Sequence, residues 1–131
     1  MSWRLKSVKE QWYKPECVAL AKHYVKNVFG IILWSFNWSA KKCTYKTGWT
    51  FDPKLWDQLK PWSNVAILQG DILILDIGAD WHVCVWHNQV SDGYYVIEQN
   101  RNNTKTWTGQ DAINIWWYDY SKPIINIYRK K

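Results

Sequence analysis

The sequence predicts an α+β fold in which an N-terminal helix carrying a cysteine packs on an antiparallel sheet. Three observations predict it. Apolar residues recur at helical spacing over 15–29. From Gly70 onward that spacing gives way to short β-branched and aromatic runs broken by turn residues. The 131 residues contain no repeat, low-complexity stretch or linker, so residues 1–131 read as one domain with one core.

The helix comes first. Pro15 stands where a first helical turn tolerates a missing N–H. Cys17, Leu20, Ala21, Tyr24, Val25 and Val28 then form a single stripe. Lys22, Lys26 and Asn27 lie off it, and Gly30 is a stop signal. Between 31 and 69 the signals are mixed. Residues 34–40 read as the start of a second helix, 44–50 as loop and 52–56 as a short helical turn; Pro61 breaks whatever precedes it. Strands are predicted at 71–76, 81–87, 94–98, 112–118 and 124–128, with turns at 77–80 and 88–93 and a long polar loop at 99–109. Pro123 suits the margin of the final strand.

Composition narrows the classes. The net charge of +6 and pI near 9.2 predict attraction to polyanions, whether nucleic acid, anionic lipid or cell-wall polymer. Three cysteines are too few and too scattered for a disulfide framework, and no CxxC spacing points to zinc. The first residues lack the apolar core of a signal peptide, and no run approaches the ~18 apolar residues of a membrane span, so membrane insertion is not expected.

The chemistry rests on four residues in order: Cys17, His82, Glu98 and Asn100. A thiol, an imidazole and a polar orienting group are the minimum parts of a cysteine hydrolase. With a hairpin turn centred between 90 and 91, His82 faces Glu98, and Cys84, Trp86, Val96 and Asn100 share their side of the sheet. A slip of one residue would put His82 and Glu98 on opposite faces. The helix stripe is the expected cover for that face, bringing Cys17 to one edge of the sheet. A thiol there gains from the unpaired N–H groups of the first turn.

These residues resemble the CHAP domains (cysteine, histidine-dependent amidohydrolases/peptidases) of phage endolysins and bacterial cell-wall hydrolases. The resemblance spans roughly 11–128. It is carried by Glu16-Cys17-Val18-Ala19-Leu20-Ala21, Gly70-Asp71-Ile72-Leu73, His82-Val83 and Val96-Ile97-Glu98-Gln99-Asn100, with Ser39-Ala40 at a small-residue step. It implies a papain-like fold and peptidoglycan as substrate. It also implies roles: Cys17 as nucleophile through a thioester, His82 as base then acid, Glu98 as its partner and Asn100 as a second polar support. Gln11 occupies a spacing like that of an oxyanion-hole glutamine. Many members have glycine where this chain has Trp81, and some bind calcium through aspartates ahead of the cysteine. No Asp precedes Cys17 here, so no metal and no cofactor are expected. Bacterial peptidoglycan is the expected partner and a monomer the expected state. Delivery to the wall would need holin-type release or passage in a virion or secreted particle.

Blander readings stand beside these. Cys84 alternates between valines and reads as core, Cys43 as incidental, His23 as solvated, and His87 as surface though the runner-up base. Trp34, Trp38, Trp81 and Trp107 are candidates for a substrate groove, or for its structural walls. The terminal Arg129-Lys130-Lys131 reads as a solvated tail. An NlpC-type peptidase or deamidase shares the Cys-then-His order. Basic charge with aromatics also fits a single-stranded nucleic-acid binder, although nucleic acid does not explain the four-residue order. A catalytically silent wall-binding module is the remaining alternative.

Overall fold

The helical stripe folds as α1 (Cys17–Phe29), within the span its spacing predicts. Gly30 ends it in the left-handed region at φ +71°, and its N–H donates to the Lys26 carbonyl at 3.0 Å. The computed structural model describes residues 17–33, 40–63, 66–78, 81–98, 114–121 and 123–131. The expected second helix at 34–40 therefore falls almost wholly outside the described residues; Ala40–Lys42 is a short 3₁₀ turn. None of the described helices is long and apolar enough to cross a membrane.

Six strands follow: β1 (Trp56–Leu59), β2 (Ile72–Leu75), β3 (His82–Val90), β4 (Gly93–Glu98), β5 (Asn114–Asp119) and β6 (Ile124–Lys130). They form one sheet in the order β1-β6-β2-β3-β4-β5, with every neighbouring pair antiparallel. The architecture is α+β.

Residues 52–56 form the single turn their sequence suggests, and strand β1, which the sequence reading did not expect, starts at its last residue. Leu55 and Trp56 donate their N–H groups to the Asp52 carbonyl, which closes a turn but does not propagate. Trp56 then buries itself against the core while Asp57 and Gln58 stay exposed, as suits an edge strand. With one buried residue followed by two exposed and one half-buried, the segment shows no alternation to read. The turn expected at 88–93 contracts to Ser91-Asp92, because β3 runs on to Val90.

Both faces of the sheet are apolar. Ile72, Ile74 and Val83 pack against Val18, Ala21 and Val25 of α1, while Val85 and Ile97 meet Leu20. Leu73, Leu75, Cys84, Trp86, Tyr94, Val96 and Tyr118 form a second core on the other side. The helix therefore covers the face opposite to the one expected. Alternation cannot choose a side when both sides of a strand are buried. Val28 of the predicted stripe is 56% exposed, whereas Val18 and Ala19, outside it, are buried. Spacing gives a helix's apolar direction but not how far its partner surface extends.

The Gly70-Asp71 pair has a structural reason. Gly70 sits at φ +96°, and a Cβ there would lie 2.7 Å from the Tyr24 hydroxyl, which donates to the Gly70 carbonyl at 3.1 Å. Asp71 is buried and takes a two-pronged ion pair from Arg129, Nε to Oδ1 at 2.9 Å and Nη2 to Oδ2 at 2.6 Å. The Leu68 N–H adds a third bond. Arg129 is thus a rung of β6 clamped to the start of β2, not part of a solvated tail. A lone basic tripeptide carries no sign of a buried carboxylate 58 residues away.

Candidate active site

Two elements open at the same end of the sheet. Cys17 is the first residue of α1 and His82 the first of β3. There the Cys17 thiol comes near enough to the His82 imidazole to favour its protonated form. Glu98 closes β4, fully buried, and its Oε1 accepts from His82 Nε2 at 3.0 Å. With Nε2 committed to Glu98, Nδ1 is the nitrogen left for the thiol.

A β-bulge makes the His82–Glu98 contact possible. From the hairpin turn, Val90 faces Gly93, Gln89 faces Tyr94 and Asn88 faces Tyr95. Continued unbroken, that register would set Glu98 beside Val85, on the side of the sheet away from His82. The ladder instead skips His87, so that Trp86 faces Val96 and Val85 faces Ile97. Glu98 then falls beside Cys84, on the same side as His82. The pair meets diagonally rather than directly across, two positions away from the expected register. A shift of two keeps the face; a shift of one would have lost it.

The electrostatics follow from the contacts. Burial disfavours a charged imidazole, but the nearby Cys17, the hydrogen bond the ring donates to Glu98 and the negative charge of both outweigh it. Together they push His82 up to about 10. Near neutrality the ring is an imidazolium held between a sulfur and a carboxylate. Such a cluster titrates as a unit.

The other thiols differ. Burial, then the negative charge of Glu98 and Cys17, raises Cys84 well above the ordinary thiol range. Cys43 is raised by burial and lies 4.0 Å from the Tyr128 hydroxyl. Neither has an imidazole partner among the described residues. The Nδ1 of His87, the runner-up base, sits 3.0 Å from Gln69 Nε2, at the bulge and outside the cluster.

Tyr118 is the member that spacing did not reveal. Its O–H donates to Glu98 Oε1 at 2.7 Å, so one carboxylate oxygen takes both the phenol and the imidazole. The available signal was its register opposite Tyr94 on a buried face, where a phenol needs a polar partner. Trp81 packs half-buried against the helix-side core, with the Lys41 ammonium 5.4 Å from its ring. Its φ of +57° is one that glycine adopts without strain, a backbone reason for glycine at this position. Gln11, Trp34, Trp38, Asn100 and Trp107 lie outside the described residues.

Among the described residues, no group of three or more His, Cys, Asp or Glu side chains could hold a metal ion. What the cluster can do is move a proton from thiol to imidazole, hold the resulting ion pair, and return the proton to a leaving group. No family model and no curated protein matches the chain.

Proposed function

We propose that this protein is a cysteine amidohydrolase or peptidase of CHAP type, with a papain-like site, that cleaves an amide or peptide bond in bacterial peptidoglycan. The observation that carries the reading is the His82–Glu98 hydrogen bond beside Cys17, with the thiol at a helix start and the carboxylate buried behind the imidazole. The basic surface charge supports an anionic wall as the partner.

In this mechanism the Cys17 thiolate attacks the carbonyl carbon, forming a C–S bond and an oxyanion. The Cys17 backbone N–H is one donor to that oxyanion and Gln11 the candidate for the other. The tetrahedral species collapses as the C–N bond breaks. His82 delivers its proton to the departing amine, leaving a thioester. The neutral imidazole then takes a proton from water, whose oxygen attacks the thioester carbonyl. Collapse breaks the C–S bond and releases the carboxylic acid, restoring the Cys17 thiolate beside the His82 imidazolium. Glu98 keeps the Nε2–H engaged throughout, so the ring presents its other nitrogen to the reacting atoms. Asn100 is the candidate for further polar support.

Alkylation with iodoacetamide tests the nucleophile. Modification mapped to Cys17 should remove activity on peptidoglycan in proportion to its extent. Full activity with Cys17 completely alkylated would exclude the mechanism.

A further inference from the structure

We infer that the groove at the far end of α1 binds an N-acetylated hexosamine ring of a glycan strand, apart from the thiol site. The groove encloses about 470 Å³, within the range of small-molecule sites. Its lining includes Ile31, Ile32, Trp49, Thr50, Asp52 and Leu55. It begins where α1 ends, about 18 Å along the helix axis from Cys17 at 1.5 Å per residue.

Four features fit an amphipathic sugar. Trp49 is 46% exposed; the Lys46 ammonium lies over its ring, 5.5 Å from the centroid, and the rest of the exposed indole is apolar surface for the C–H face of a pyranose. Ile32 and Leu55, both exposed, offer apolar surface for an acetamido methyl. Thr50 is only 3% exposed, yet its hydroxyl has no hydrogen-bond partner among the described residues. A buried hydroxyl without a partner calls for one, and a sugar hydroxyl or amide supplies it. Asp52 is held rigid by the N–H groups of Gly48 at 3.1 Å and Lys54 at 2.9 Å, and its oxygens keep lone pairs for a donor.

The identity of the glycan rests on the peptidoglycan reading; the groove does not depend on the thiol. The site would hold the polymer while Cys17 works on a peptide branch, in a chain that carries its own adhesion. The test is calorimetric titration with the tetramer of N-acetylglucosamine, in the parent protein and in Cys17→Ala, Trp49→Ala and Thr50→Val. The parent and Cys17→Ala should bind alike, and Trp49→Ala and Thr50→Val at least tenfold more weakly. Thr50→Val should fold at least as stably as the parent, so its loss of binding would not reflect unfolding. Retention on peptidoglycan sacculi stripped of attached anionic polymers should follow the same order, which identifies the glycan strand as the source. Absence of binding by the parent, equal binding by Trp49→Ala, retention only on unstripped sacculi, or preference for an oligonucleotide would each overturn the inference. Trp49-dependent binding without turnover would leave the groove standing and remove only the hydrolase reading. Turnover without such binding would do the reverse.

Discussion

Replacing Glu98 by glutamine keeps the size of the side chain and an oxygen for His82 Nε2, but removes the charge. The carboxylate oxygen lies 3.0 Å from that nitrogen, fully buried. An opposite charge at such range raises an imidazole by roughly 1–3 pKa units. Coulomb's law agrees, with about 4 kcal/mol at 4 Å for an effective dielectric of 20. His82, held up to about 10, should therefore fall to roughly 7–9 in Glu98→Gln. Activity needs the imidazolium as the acid for the leaving amine, so the alkaline limb of kcat/KM should move down by the same amount. The rate of Cys17 alkylation against pH is an independent readout, because it follows the thiolate. Near pH 6 the variant should retain more activity than His82→Ala, which lacks any proton acceptor. An alkaline limb that stays in place would refute the assignment of Glu98 as the charge behind the imidazole.

Three further outcomes follow from named contacts. Tyr118→Phe removes a buried bond to a carboxylate; unfolding in urea should show a loss of about 1.5–3 kcal/mol, and kcat should fall with KM little changed. Arg129→Ala leaves Asp71 buried and unpaired against β2, and should destabilise by about 3–5 kcal/mol in the same assay while the surviving folded fraction keeps its turnover per site. His82 binds its proton more tightly folded than unfolded. The stability it lends is thus complete below the unfolded value near 6.5 and is lost as pH rises through about 10. The urea midpoint should decline across that window in the parent and decline less in His82→Gln; equal slopes would contradict the linkage.

The helix and most strands were legible because their signals are local. Thirteen residues of helical spacing end at a glycine that adopts the required φ. The strands from Ile72 onward are β-branched runs between turns. Cys17, His82 and Glu98 were legible through their order and their positions at element ends. What spacing could not supply was relational. The side of the sheet that α1 covers is undetermined when odd and even positions of β3 are equally apolar. The bulge at His87 has no sequence mark, yet it sets His82 and Glu98 on one face. Arg129 and Tyr118 find their carboxylates across the sheet, 58 and 20 residues away in sequence. Strand β1 exists because β6 offers it a ladder, not because Trp56-Asp57-Gln58-Leu59 alternates.

The most direct test of the account is a digest of purified peptidoglycan by the parent protein and by Cys17→Ala, read by mass spectrometry. The account predicts new fragments with the parent alone, each carrying a new amine and a new carboxyl end, whose masses identify the bond cut. Identical fragments from Cys17→Ala, or none from the parent across walls of several cross-link types, would contradict it.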